Sequence, residues 1–259
     1  MYNILGLVES AMNRKYNNPP IIEAVCEFRL PPETKWDLTI PGLLYEKLRN
    51  TFPCKEQRLF QEVELKKNSQ GVEQLVHTRE RAIFLTEDRR SFIQVGLRLL
   101  AVNCLKSYPR WNIFKRHIER AFKALLETVE IRRIYRIGLR YINRIEITNP
   151  GPSFELADYF DFRPFLGEKL PKDISGFAIR CVLPFPKIEA ECNLQLTTAV
   201  QEKPGNRAFI LDLDYYPSQL QTIASNDALA WIEEAHEKIV EIFEGCITDK
   251  LRQQFGEVK

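Results

Sequence analysis

The chain has 259 residues, of which 44% are hydrophobic and 28% charged, a balance that supports a packed core and excludes a low-hydrophobicity disordered chain. Its 37 Lys or Arg against 35 Asp or Glu leave a formal charge of +2, so no whole-molecule field draws it to nucleic acid or an anionic membrane. No run approaches the roughly 20 apolar residues that span a bilayer, and the opening MYNILGLVESAMNRKYNN, interrupted by Glu9, Arg14 and Lys15, reads as neither a signal peptide nor an anchor; a cytoplasmic location is expected.

Residues 1–20 read as an N-terminal extension closed by Pro19 and Pro20. In IIEAVCEFRL, Ile22, Ala24, Cys26, Phe28 and Leu30 alternate with Glu23, Val25, Glu27 and Arg29, the period of a strand. PPET breaks it, and residues 41–52 predict a short helix with Leu44 and Leu48 inward. Residues 58–66, 73–85 and 91–104 alternate again between the turn compositions KNSQG and EDRR, an antiparallel meander. From 110 to 129 the period changes: Trp111, Phe114, Ile118, Phe122, Leu125 and Val129 recur at threes and fours, an amphipathic helix.

The run YRIGLRYINRIEI at 135–147 returns to a period of two, with Arg136, Arg140 and Arg144 on one side and Ile137, Leu139 and Tyr141 on the other. A stretch punctuated by Pro and Gly predicts a short helix near 154–166, capped by Ser153 or Asp158. Strands are expected near 175–184, 187–199 and 207–216, then one long helix over 226–254 with Ala228, Ile232, Ala235, Ile239, Ile242 and Cys246 as its stripe. Residues 21–130 and 131–259 therefore read as two βαβββα halves, similar in order and length. The expected fold is α+β: an antiparallel sheet built from two pseudo-repeated halves that form one compact unit, with long amphipathic helices on one face.

Six widely spaced cysteines without a CxxC pair fit small buried hydrophobes, not a disulfide framework. No nucleotide-binding glycine motif, HExxH, GxSxG or metal-spaced Cys/His cluster is present. No cofactor or metal is expected. His77, His117 and His236 lie in separate elements among charged neighbours and read as surface histidines. Asp212 and Asp214 share a strand side, but neighbours at i and i+2 do so for structural reasons, and no third metal ligand accompanies them.

The charged sides of the strands carry the candidate site: Glu23, Glu27, Arg98, Arg136, Arg140, Arg144, Asp212 and Asp214. Cross-strand ion pairing of about 0.2–1 kcal/mol per pair is one account of them. A groove whose arginines recognise a carboxylate, a phosphate or a protein segment bidentately is the other. Arg136 and Arg140 are expected to point away from the helices and meet carboxylates of other strands, with Glu23 and Glu27 the first candidates. Residues 106–144 hold eleven Lys or Arg against three Glu, a net of +8 that leaves −6 elsewhere. Phosphate contact there is allowed, but the aromatic residues belong to the core and sequence-specific nucleic-acid binding is not expected.

NNPPIIEAVCEFRL, read with GLRYINRIEI and with LDLDYY before the last helix, resembles a sporadically distributed, functionally uncharacterised bacterial family with an N-terminal PPI-E-A signature. That resemblance covers nearly the whole chain and implies an accessory gene, of the defence or toxin–antitoxin kind, working with a neighbour. It carries no active site. The function expected is a non-enzymatic binding or partner-interaction protein, its partner a protein or an anionic small molecule. The alternative is an enzyme or sensor that holds a phosphorylated or nucleotide ligand in the charged groove.

Overall fold

The computed structural model describes residues 14–68, 71–151, 154–171 and 174–258. The chain before Arg14, and with it the reading of the opening segment, lies outside the described residues, as do the centre of the KNSQG turn, Ser153 and the side chain of His77.

Among the described residues, eleven strands and four α-helices follow in chain order: β1 (Lys15–Tyr16), β2 (Ile21–Arg29), α1 (Ile40–Leu48), β3 (Cys54–Asn68), β4 (Gly71–Leu85), β5 (Ser91–Gly96), β6 (Leu99–Leu105), α2 (Trp111–Leu126), β7 (Arg136–Ile147), β8 (Ala178–Phe185), β9 (Ala190–Ala199), β10 (Arg207–Pro217), α3 (Ala228–Cys246), α4 (Asp249–Phe255) and β11 (Glu257–Val258). Strands β2 to β10 form one sheet in the order β3-β4-β5-β6-β2-β7-β10-β9-β8, antiparallel at every pairing. The strands before residue 106 lie on one side of the β2–β7 seam and those after 135 on the other.

Three expectations need correction. Residues 91–104 are a hairpin, not one strand: Gly96 pairs with Leu99, and Leu97 and Arg98 carry the chain round, with Arg98 at φ +53°. Residues 154–166 hold only a three-residue 3-10 helix, Leu156–Asp158. The last helix breaks after Cys246, where Ile247 is extended and Thr248 starts α4. One contact explains the last two: the N–H groups of Asp161 and Phe162 donate to the Cys246 carbonyl, and that of Thr248 donates to the Tyr159 carbonyl. Backbone groups that would have continued either helix are used between the two segments instead. Among the described residues, the first half therefore carries α1 and five strands before α2, while the second carries four strands of the large sheet, then α3, α4 and the short β11.

The helical stripes are buried as their period requires: Phe114, Ile118, Phe122 and Leu125 in α2, and Ala228, Ile232, Ala235, Ile239 and Cys246 in α3. Phe28 of β2 stacks on Phe122 with ring centres 4.5 Å apart, and Tyr215 of β10 meets Trp231 at 5.8 Å. One buried hydrophobic cluster draws on both halves of the chain, and burial of each large apolar side chain contributes about 1.5–3 kcal/mol. All six cysteines are free, and Cys181 is exposed. Burial pushes the thiol of Cys104 up to about 11 and those of Cys192 and Cys246 up to about 12, so these three are inert at neutral pH.

The ends of the described chain meet. Strand β1 pairs with β11, and Glu244 beneath them is only 6% exposed. Its carboxylate accepts from Tyr16 Oη at 2.6 Å and from Arg252 Nε at 2.8 Å. Among the described residues no helix is long and apolar enough to cross a membrane.

Candidate functional site

The register of the three central strands decides which charges meet. Cys26, Leu139 and Tyr215 stand opposite one another on the apolar side, as do Ala24, Tyr141 and Leu213. The alternate residues Glu27, Arg136, Arg140, Asp212 and Asp214 therefore share the other side. Arg136 lies between two carboxylates, with Nη1 3.3 Å from Glu27 Oε1 and Nη2 3.4 Å from Asp214 Oδ2. Its guanidinium sits 5.0 Å from the centre of the Tyr216 ring. Gly138 makes the seat: a Cβ there would stand 3.3 Å from Arg136 Nη1 and 3.6 Å from Asp214 Oδ1.

Arg140 binds Asp212 with both arms of its fork, Nε to Oδ1 at 2.8 Å and Nη2 to Oδ2 at 2.5 Å. This hydrogen-bonded pair raises the pKa of Arg140 above its ordinary value. Burial raises that of Asp214, against the pull of Arg136 and Arg140. Each aspartate thus has an arginine of its own, and the two do not form a proton-sharing dyad. Among the described residues no group of three or more His, Cys, Asp or Glu could hold a metal ion.

Arg136 meets Glu27 as the parity of the sequence suggested. Arg140 does not meet Glu23 or Glu27, because Val25 stands opposite it on β2 and Asp214 on β10, which leaves Asp212 as the diagonal partner. Glu23 turns the other way and accepts from Asn103 Nδ2 at 2.8 Å. Gln94 Nε2 donates to Asn103 Oδ1 at 2.9 Å, and Arg81 Nη1 donates to Gln94 Oε1 at 3.1 Å. A polar line thus continues over β6, β5 and β4. Parity in the sequence puts Gln94 on the polar side of its strand but does not single out Asn103, although that residue interrupts an otherwise apolar strand.

Two candidates stand apart. Arg144, at the far end of β7, donates to the Val200 carbonyl at 2.6 Å and lies 3.3 Å from Glu202. Arg98, in the β5–β6 turn, donates from Nε to the Thr34 carbonyl at 2.9 Å. Glu27 links its neighbourhood to the central group, since Arg29 Nε donates to the same Oε1 at 2.7 Å that faces Arg136.

The surface reading of His236 is overturned. Its ring stacks on Trp111, 4.0 Å between centres, and its Nδ1 lies 3.1 Å from Tyr141 Oη, which in turn lies 3.0 Å from Tyr108 Oη. Burial lowers its pKa to about 4. The Glu233 neighbour that suggested a solvated face instead accepts from Trp111 Nε1 at 2.9 Å and pairs with Lys115. His117 is half-buried, with its ring edge-on to Phe52 at 5.2 Å.

The central group can present fixed, alternating charges to a molecule laid across β2, β7 and β10. It lacks a nucleophile paired with a base. No family model and no curated protein matches the chain.

Proposed function

We propose that the chain is a non-enzymatic binding protein that receives a protein partner on the charged side of its central strands. The observation that carries this reading is the Arg140–Asp212 pair: Arg140 is 45% exposed, yet its guanidinium is fixed by two hydrogen bonds at the middle of the sheet. An exposed, preoriented charge lowers the ordering cost of recognition, and the opposite charges beside it select a partner by complementarity more than by raw attraction. In this reading α2 and α3 occupy the opposite face and leave the charged face accessible.

The same proposal relates the two halves. Outward from the seam the order is β2-β6-β5-β4 on one side and β7-β10-β9-β8 on the other, so a repeated unit with β3 added at one edge accounts for the topology. The resemblance of the NNPPIIEAVCEFRL, GLRYINRIEI and LDLDYY runs to the PPI-E-A family is the support for an accessory role beside a neighbouring gene's product.

The test is capture of partners from the native host with the wild-type chain, followed by affinity measurement on the partner recovered. Arg140→Ala should weaken binding 10-fold or more, about 1.4 kcal/mol. It should cost folding no more than about 1 kcal/mol, since the pair is solvent-screened. Unchanged affinity, or a variant that unfolds, would defeat this reading.

A further inference from the structure

We propose that the cavity between the β4–β5 turn and the start of α2 is a binding site for an uncharged, hydroxyl-rich small molecule of the size of a mono- or disaccharide. The inference is independent of the partner reading, because it rests on other side chains and is tested with small molecules.

The cavity holds about 700 Å³, inside the range of about 300–1,000 Å³ usual for ligand sites. The stretch after α1, the β4–β5 turn, the loop after β6 and the first two turns of α2 all contribute to its wall. The fold, not a single loop, therefore assembles it.

Asp88 supplies a fixed acceptor. Thr86 Oγ1 donates to its Oδ1 at 2.7 Å, and the Arg90 N–H donates to the same oxygen at 3.0 Å. These two bonds hold its pKa below the ordinary value, so it is a carboxylate at neutral pH. Both bonds land on Oδ1, which leaves Oδ2 to accept from a ligand. His117 supplies the opposite polarity. Burial lowers its pKa, and the charges of Arg120 and Arg116 act in the same sense, so the ring is neutral and carries one proton. Its Nδ1 is buried without a hydrogen-bond partner. A buried N–H left unpaired is rarer than an unpaired acceptor, which puts the proton on Nε2 and makes the ring a donor there.

Asn50, Thr51 and Ser107 add an amide and two hydroxyls to the wall, groups that both donate and accept. The matching ligand also does both, as a hydroxyl does; an ammonium only donates and a phosphate dianion only accepts. Charge agrees, since Glu87 and Asp88 line the cavity against Arg90, a balance that disfavours an anion. Pro53, Pro109 and Ile113 give apolar patches on which the C–H face of a sugar ring can rest. Among the described residues that line the cavity none is Phe, Tyr or Trp, so a nucleobase finds no ring of that kind to stack on.

The experiment is NMR titration of the full chain. It has three histidines, so the ring-nitrogen signals of His117 are identified by their loss in His117→Gln. Glucose, ribose, maltose and sucrose at millimolar concentration are the probes, with glucose 6-phosphate and spermidine as charged controls. At least one sugar should move the His117 signals and leave those of His236, stacked on Trp111, in place. Asp88→Asn keeps an oxygen for Thr86 and Arg90 but puts a donor where Oδ2 stood. It should weaken that sugar by about 10-fold or more, as for a lost hydrogen bond to a charged group, with an unchanged unfolding midpoint. Ser107→Gly removes a hydroxyl from a residue at φ +67°, a conformation that glycine adopts freely. It should weaken the sugar by about 3-fold or more, with an unfolding midpoint equal to or above wild type. His117 signals unmoved by all four sugars, a charged control binding more tightly than the best sugar, or unchanged affinity in a folded Asp88→Asn variant would each overturn the site. If Asp88→Asn folds poorly, Ser107→Gly takes its place, and unchanged affinity there would overturn the site as well.

Discussion

Acidification should loosen the contact between α2 and α3 at one residue, His236. Burial carries its pKa from 6.5 to about 4, with Glu233 pulling it upward and Lys115 pushing it down. The short distance from Nδ1 to Tyr141 Oη explains why the neutral ring suits the site: a bare Nδ1 accepts the Tyr141 hydroxyl proton, which leaves the Tyr141 oxygen to accept from Tyr108. A proton on Nδ1 would force that chain of hydroxyls to reverse. Because the folded pKa lies below the unfolded one, the unfolded chain holds more protons between about pH 6.5 and pH 4. The stability contributed by the neutral ring is therefore complete above about 6.5 and is lost as pH falls towards about 4. At about 1.4 kcal/mol per unit the shift amounts to roughly 3 kcal/mol. Asp214 works in the opposite sense, since its raised pKa favours the folded state at low pH, so the measurement must be a difference. Urea unfolding from pH 7 to pH 4.5 would compare wild type with His236→Phe, which keeps a ring against Trp111 and has nothing to titrate. Wild type should lose more stability than the variant across that range, by about 2 kcal/mol. Parallel curves for the two proteins would refute the reasoning.

Two further perturbations test the core and the junction of the chain ends. Ile118→Ala in α2 or Ile239→Ala in α3, at positions 1% and 2% exposed, should each cost about 2–5 kcal/mol in denaturant unfolding, and a loss below about 1 kcal/mol would contradict their burial. Glu244→Ala leaves Arg252 without its buried carboxylate and Tyr16 without its acceptor, so a loss of about 3–5 kcal/mol is expected; thermal unfolding unchanged from wild type would show that the junction of β1, β11 and α4 contributes little.

How far the sequence revealed this arrangement depended on what each pattern encodes. Alternation exposes the two sides of β2, β7 and β10 because side-chain direction is a property of the single strand. It concealed the β5–β6 hairpin. There the buried set passes from Ser91, Ile93 and Val95 to Leu100, Val102 and Cys104, a change of parity across an apolar run whose turn lacks glycine at its left-handed residue. The break after α3 was hidden because Ile247 is buried like the helical stripe it follows. His236 lies one residue beyond Ala235 and three before Ile239, at the edge of the buried stripe, and only the approach of Trp111 from another helix closes it off. Charge pairing was legible by side, as with Arg136 and Glu27, but not by partner. Which aspartate faces Arg140 depends on register, and register belongs to two strands together.

Register also gives the charged strands a meaning beyond their pair energies. Cross-strand pairs are worth about 0.2–1 kcal/mol each, small against a core that spans both halves. A slip of β7 by one residue, however, would carry Arg136, Arg140 and Arg144 into the layer of Phe28 and Tyr215 and bring Ile137, Leu139 and Tyr141 out among the carboxylates. An arginine left unpaired in that layer costs several kcal/mol, so the alternative pairing is heavily disfavoured. Arg136 makes the constraint two-sided, since it touches Glu27 on one neighbouring strand and Asp214 on the other, and Gly138 keeps that position open. The seam between the halves is thus held in one alignment by charge as well as by packing. The same fixed alignment presents Arg140 to solvent in a defined orientation, which is the condition a binding surface requires.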